Sequence, residues 1–197
     1  MAIGNGFDGR DLARVAVFAA LIVVLGVAGS IPGPGGVPIT AQTLGVMLAG
    51  VVLGPKRGAV AVAIVILLAA VGLPVLSGGR GGLGVFFGPT VGFLLGWLPG
   101  VVVAGLIARP AARRISWWRI AAGAAVGGVM VVYLVGIPLQ AAIMGLSLPA
   151  AAAGSAIFLP GDVIKVVVAT LLALALHRAY PRAFDSRADA APARAAR

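Results

Sequence analysis

Long apolar stretches alternate along the chain with short breaks rich in glycine, proline or arginine. The apolar stretches run over residues 12–30, 40–54, 58–76, 87–108, 120–145 and 161–177. A helix is favoured for such stretches in lipid because it satisfies its own backbone hydrogen bonds. The alternating polarity that the strands of a membrane barrel need is not seen. The pattern therefore predicts an all-α protein with six transmembrane helices.

The amino-acid composition indicates that the predicted helices lie in a membrane. Hydrophobic residues make up 61% of the 197 residues, charged residues make up 10%, and the mean hydropathy is +1.12. These values exclude an ordinary soluble fold. Residues 1–180 are predicted to form a single membrane domain, with the first apolar stretch retained as a helix. Residues 181–197, rich in alanine, arginine and aspartate, are predicted to be a mobile cytoplasmic tail.

The net charge of +10 carries information about topology. If all six segments span, thirteen of the fifteen Lys and Arg residues fall on one side of the membrane. Arg80 is on the other side, and Lys165 is inside a segment. Because cytoplasmic loops carry an excess of Lys and Arg, both termini are expected to be cytoplasmic. This distribution also argues against nucleic acid as a partner.

Two of the segments, 40–54 and 58–76, are short for helices that cross a bilayer. They could instead form a re-entrant hairpin. Lys56 and Arg57 at their turn favour full spanning, because a charge at mid-depth costs about 2.5–3.5 kcal/mol. Trp117 and Trp118, beside several arginines, are expected to anchor the protein at headgroup depth. His177 is expected where a helix meets water, with no functional role.

Three connections on the outer side are unusual. Residues 30–38 contain many proline and glycine residues and could form either a simple connector or a lid over a pocket. Residues 77–82 surround Arg80 with glycines, whose backbone can approach a ligand closely. Residues 145–160 are small and are interpreted as the connection to the last helix.

Asp162 and Lys165 place opposite charges inside the last apolar segment. Their spacing of three residues puts them on one face of a helix. They could simply cap the helix start and neutralise each other. Serine or threonine would cap equally well without a charge, however, and ionisable residues within a membrane bundle usually face a cavity or the bundle interior. The pair is therefore predicted to contact a ligand.

Arg80, Gln42 and Tyr133 are further candidate ligand contacts, although each could instead serve solvation or packing. Together Asp162, Lys165 and Arg80 would give a shared pocket a net charge of +1. Such a pocket favours a small monoanion.

Several kinds of chemistry are excluded by what the sequence lacks. There is no G-x-x-x-x-G-K-[ST] motif for ATP, and there is no Cys, no Glu and no spaced His/Asp cluster for a metal or a nucleophilic enzyme. The protein is therefore not expected to be an enzyme or to hold a metal or cofactor. Ala13, Ala16 and Ala20 form a small-residue face on the first helix, where a partner helix could approach closely.

Three segments resemble one known family. VPITAQTLGVMLAGVVLGPKRGAVAV, GLPVLSGGRGGLGVFFGPTVGFLLG and FLPGDVIKVVVA, in this order, are similar to BioY, the biotin-binding S component of energy-coupling factor (ECF) transporters. The resemblance covers about residues 12–177. It implies an S-component type bundle of six helices in the bacterial cell membrane. The substrate pocket would lie near the outer face.

The same resemblance implies a function and partners. The chain would be a high-affinity biotin-binding subunit that works with a transmembrane coupling subunit and two ATPase subunits, with biotin as ligand and no cofactor. The resemblance assigns biotin contacts to Asp162, Lys165, Arg80, Gln42 and, less directly, Tyr133. It also makes Ala13, Ala16 and Ala20 the surface for the coupling subunit.

The residues themselves leave two other functions open. The chain could be a secondary transporter for a small organic anion in which Asp162 carries a proton. Uptake by this chain alone, driven by a pH gradient, would indicate that activity. A membrane enzyme is disfavoured by the poor set of catalytic groups.

Overall fold

A computed structural model describes residues 7–27, 30–33, 36–109 and 115–184. Its apolar segments form helices, which the chain's leucine and alanine content favours. In the described residues the helices are α1 (Gly9–Val27), α2 (Gln42–Leu53), α3 (Pro55–Ala70), α4 (Val91–Ala108), α5 (Trp117–Met144), α6 (Leu148–Ser155) and α7 (Leu159–Ala179). Each of the six predicted segments overlaps one of these helices. The prediction of a mostly helical protein is confirmed.

The connection predicted over residues 145–160 is mostly helical. Gly145 ends α5 in the left-handed conformation. The Ser147 hydroxyl then accepts a hydrogen bond from the Ala150 backbone N–H at 3.4 Å and caps α6. A 3-10 turn, Ala156–Phe158, leads directly into α7. The alanines of this segment are strong helix formers, which accounts for the helix.

The helices differ in their ability to cross a membrane. Among the described residues, three helical stretches are long and apolar enough to do so, namely Val91–Ala108, Trp117–Met144 and Leu148–Ala179. The apolar helix α2 is shorter, and at 1.5 Å per residue it is about 18 Å long. Its last turn, Ala49–Leu53, is a π-helix whose residues are all buried. The end of α2 is therefore enclosed by the rest of the bundle.

Helices α4 and α5 approach each other closely through glycine. A Cβ at Gly92 would lie 2.7 Å from the Gly136 carbonyl oxygen, and a Cβ at Gly100 would lie 2.6 Å from that of Gly127. No larger residue fits at these positions without moving the neighbouring helix. The contact fixes the register of α4 against α5 and so the relative positions of the side chains that both helices present.

The basic residues cluster at one end of the bundle. Arg57 at the start of α3 pairs with Asp11 at the start of α1, at 2.9 Å. Arg109, just after α4, donates a hydrogen bond of 2.6 Å to the Val52 carbonyl oxygen near the end of α2. Arg14 donates to the carbonyl oxygen of Arg182, beyond α7, at 2.5 Å. We call this the basic end.

The chain remains packed beyond α7. Pro181–Phe184, which the sequence analysis assigned to the tail, form a 3-10 turn in which Phe184 is buried. The ring of Phe184 contacts the ring of His177 edge-to-face at 5.1 Å and lies under the guanidinium of Arg109. His177 in the last turn of α7 thus packs against Phe184 and is partly exposed. The predicted tail from residue 185 onward and the arginines at 113 and 114 lie outside the described residues.

Candidate ligand-binding site

A cavity lies at the end of the bundle opposite to the basic end. It contains about 730 Å³ of space free of protein atoms, including its opening to solvent. The first turn of α2, the first two turns of α4 and α7, the middle of α5, the loops before α2 and α4, and the 3-10 turn before α7 all contribute to its wall. The cavity therefore forms where seven different parts of the chain meet.

All five residues predicted to bind a ligand line this one cavity: Gln42, Arg80, Tyr133, Asp162 and Lys165. They come from four separate regions of the sequence, so their convergence is a property of the fold. Their ligand contacts stay a prediction. What the structure adds is the geometry in which each side chain is held.

Asp162 is the centre of a buried polar group. The Lys165 Nζ lies 2.9 Å from one carboxylate oxygen of Asp162, and the Tyr133 hydroxyl donates a hydrogen bond of 2.5 Å to the other. Asp162 is only 5% exposed. A carboxylate offers about four lone-pair positions, so each oxygen keeps the capacity to accept a further hydrogen bond. The ion pair and the phenol thus hold the carboxylate in a fixed orientation toward the cavity.

Gln42 and Arg80 are positioned by the loop that follows α3. The buried Gln42 side chain donates from Nε2 to the Val75 carbonyl oxygen at 3.0 Å. Arg80 donates from Nε to the Ser77 carbonyl oxygen at 3.1 Å, and the residue is exposed. Arg80 also lines a second, more open cavity with Pro32, Gly33 and Gly78. It therefore stands at the opening between the inner cavity and the outside.

The apolar part of the wall contains a cluster of aromatic rings beside aliphatic side chains. The ring of Phe93 contacts Tyr133 edge-to-face at 5.9 Å and Phe158 at 6.4 Å, and all three line the cavity. Phe158 belongs to the 3-10 turn just before α7. Such rings offer a large apolar surface for the hydrocarbon part of a ligand.

The segment 30–38, for which both a connector and a lid were open, contributes to the wall. β1 (Ser30–Ile31) pairs antiparallel with β2 (Ile39–Thr40), so that the chain folds back on itself. Val37, Pro38, Ile39 and Thr40 line the cavity. The segment is therefore part of the site, which a simple connector would not be.

Five polar residues of the wall were not among the predicted ligand contacts: Thr40, Thr43, Ser77, Thr90 and Trp97. Thr43 could have been found because it directly follows Gln42, and Ser77 because it begins the glycine-rich loop of Arg80. Trp97 gave no signal, since it lies in an apolar helix where an aromatic residue is expected to face lipid or core.

Ala13, Ala16 and Ala20 do not belong to the cavity. They are exposed on α1, next to the exposed Val17 and Val24. Trp117 and Trp118 are also exposed, and the Arg119 guanidinium lies 5.3 Å from the ring centre of Trp118. Neither surface has a partner in a single chain, and both predicted roles stay predictions.

The helical fold and this cavity define a class: a helical membrane protein with an open cavity whose wall is partly polar and partly apolar. Comparison with known proteins narrows the class. The family model described as the BioY family matches residues 3–182. The chain belongs to the BioY family.

Individual relatives agree with this assignment. A protein of Rhizobium etli named biotin transporter BioY is 50% identical over 182 residues, which cover 87% of this chain and 95% of the relative. One of the same name from Rhodobacter capsulatus is 48% identical, covering 90% and 98%. A crystal structure of the S-component for biotin from an ECF-type ABC transporter matches with a TM-score of 0.81 and 32% identity, covering 90% of this chain and 95% of the other.

Proposed function

We propose that this chain is the biotin-binding subunit of an ECF-type transporter and mediates biotin uptake. One observation carries the proposal: the five residues that the sequence pattern singles out surround one cavity, in a chain whose relatives are named biotin transporters. The function is transport, as in the rest of the family, and not catalysis.

The cavity suits the chemistry of biotin. The ureido ring carries two N–H donors, and the Asp162 carboxylate can accept from them while it stays paired with Lys165. The sulfur-containing ring and the aliphatic chain match the aromatic wall of Phe93, Tyr133 and Phe158. With Arg80 at the opening, the three charged groups sum to +1, which suits a ligand that carries one carboxylate.

The proposed topology has six membrane-spanning helices in the bacterial cell membrane, with α6 as part of the outer connection. Both termini would be cytoplasmic, residues 1–180 would form one membrane domain, and residues 181–197 would end in a mobile tail. Support comes from the basic end, where residues 10–14, 56–57, 109 and 119 meet. An excess of cations is typical of cytoplasmic loops.

The partners would be an ECF transmembrane coupling subunit and two ATPase subunits. The chain itself carries no phosphate-binding loop of the G-x-x-x-x-G-K-[ST] type. Its exposed α1 face, with Ala13, Ala16 and Ala20, would let a helix of the coupling subunit approach closely.

Calorimetric titration of the purified protein with biotin tests the proposal. We expect saturable binding of one biotin per chain. Uptake of labelled biotin in cells should then depend on co-expressed coupling and ATPase subunits and stop on ATP depletion. Absence of biotin binding would overturn the proposal. Uptake by the chain alone, driven by a pH gradient and insensitive to ATP, would instead establish the secondary transporter.

A further inference from the structure

Two neighbouring indoles, Trp117 and Trp118, are exposed where α5 begins at the basic end. They are 66% and 54% exposed, although tryptophan is highly buried on average. Neither residue lines either of the two cavities described above. In a membrane protein such rings lie at headgroup depth, where one side is apolar and the other is hydrated. The start of α5 is therefore a surface that lipid headgroups cover.

Arg119, the next residue, is held in place by two contacts. Its Nε donates a hydrogen bond of 3.3 Å to the Ile107 carbonyl oxygen in the last turn of α4. Its guanidinium carbon lies 5.3 Å from the centre of the Trp118 ring. A cation over an indole ring is a favourable contact and restricts the orientation of the planar guanidinium. The guanidinium is thus preorganised beside an exposed ring.

The terminal nitrogens of Arg119 remain available to an anion. Among the described residues, none accepts a hydrogen bond from them, and the three ion pairs involve Asp11 and Asp162 instead. A guanidinium has five N–H donors, of which the Ile107 carbonyl uses one. The whole sequence has five acidic residues against fifteen Lys and Arg, so protein carboxylates cannot neutralise most of its cations. An external anion is the complementary partner for this side chain.

We propose that Trp117, Trp118 and Arg119 form a binding site for the headgroup of an anionic phospholipid. The fork of N–H groups on Arg119 matches two oxygens of a phosphate, and the indoles pack against the glycerol and the upper part of the acyl chains. A headgroup with a net negative charge, such as phosphatidylglycerol, complements the cation better than a zwitterionic headgroup does. The site lies at the opposite end of the bundle from the cavity, so it does not depend on the proposed binding of biotin.

Arg178 offers a matched comparison. It also lies at the basic end, in the last turn of α7, and it is exposed. In the described part of the chain it contacts no aromatic ring and makes no hydrogen bond through its guanidinium. A general attraction of anionic lipid to surface charge would involve Arg178 as much as Arg119. Because Arg119→Gln and Arg178→Gln change the net charge equally, a difference between them reports the preorganised site.

Native mass spectrometry of the full-length protein, titrated with lipid in detergent, tests the proposal. The probes are phosphatidylglycerol and phosphatidylcholine with the same acyl chains. We expect the wild type to bind phosphatidylglycerol about tenfold more tightly. Arg119→Gln should reduce this preference to about twofold, whereas Arg178→Gln should leave it within about twofold of the wild-type value.

A second variant does not disturb the contact with α4. Trp118→Leu keeps the hydrogen bond from Arg119 to Ile107 and removes the ring that orients the guanidinium. We expect the preference for phosphatidylglycerol to fall about threefold. An unchanged preference in this variant would overturn the assignment of the indole to the site.

Three results would overturn the proposal as a whole. One is equal affinity of the wild type for the two lipids, which is expected if a partner protein covers this surface instead. Another is an equal loss in Arg119→Gln and Arg178→Gln, which would indicate diffuse attraction to surface charge. The third is displacement of phosphatidylglycerol by an equal concentration of soluble glycerol phosphate, which lacks acyl chains and would indicate a site for a free phosphate ester.

Discussion

Two buried aspartates with the same immediate chemistry lie at opposite ends of this bundle. Asp162 is 5% exposed and Asp11 is 6% exposed, and each has a basic nitrogen at 2.9 Å. Their partners differ in position. Lys165 lies three residues further along the same helix as Asp162, whereas Arg57 belongs to α3 and Asp11 to α1. Of the two aspartates, Asp162 lines the cavity and Asp11 does not.

This difference indicates that the Asp11–Arg57 pair is structural, whereas the Asp162–Lys165 pair is available to a ligand. A pair within a helix connects no other element and adds little to tertiary stability. A pair between helices holds them together, and removal of one partner leaves an uncompensated buried charge. The two aspartates are similarly buried and lie at the same distance from a basic nitrogen. We nevertheless expect Asp162 to determine ligand affinity and Asp11 to contribute to stability.

Asp162→Asn should have the largest effect on binding. The substitution removes the charge that compensates Lys165 and replaces an acceptor oxygen by a competing donor. We expect the Kd for biotin, measured by calorimetry, to rise about 1,000-fold, equivalent to about 4 kcal/mol. The thermal unfolding midpoint in detergent should fall only slightly, because Lys165 lines the cavity and regains solvent there.

Asp11→Asn is the matched control for this experiment, since it is the same substitution beside a cation at the basic end. It should leave the Kd for biotin unchanged. Equal losses of affinity for biotin in the two variants would contradict the expectation that Asp162 binds the ligand and Asp11 does not.

The same variant should have the larger effect on stability. Asp11→Asn removes the ion pair that links α1 to the part-buried Arg57 of α3, so the free energy of unfolding should fall by about 2 kcal/mol. Denaturation in detergent, followed by circular dichroism, measures this. A drop as large in Asp162→Asn would mean that the cavity pair is structural as well.

Much of this comparison could be predicted from the sequence, because charge is rare in an apolar chain. A carboxylate inside an apolar helix is conspicuous, and its i, i+3 spacing from Lys165 specifies a shared face. Arg80 was found through the glycines around it, and Gln42 through its position at the outer start of the second apolar segment. Their convergence with Tyr133 on one cavity required the packing of α2, α4, α5 and α7, which no spacing within a single segment encodes.

Other features could not be predicted from the sequence, for a physical reason. Helix α4 is apolar on all sides, so its periodicity does not show which side faces the cavity, and Trp97 was not distinguished from a lipid-facing residue. The glycines that bring α4 against α5 were likewise overlooked, while the alanine face of α1 was noticed although it is exposed in the single chain. A partner surface and a packing surface use the same small residues, and only tertiary structure separates them.

Tyr133→Phe should have the smallest effect on the Kd for biotin. It tests how much the phenol contributes to the position of Asp162. It removes the hydroxyl that donates to Asp162 but leaves the ion pair with Lys165 and the ring contact with Phe93 in place. The carboxylate then loses part of its orientation, so the Kd for biotin should rise about tenfold, or about 1.4 kcal/mol. Tyr180, the only other tyrosine, is 52% exposed at the basic end, and Tyr180→Phe should bind biotin like the wild type. If Tyr133→Phe also binds normally, the ion pair alone positions Asp162, and the phenol serves the aromatic wall rather than the polar group.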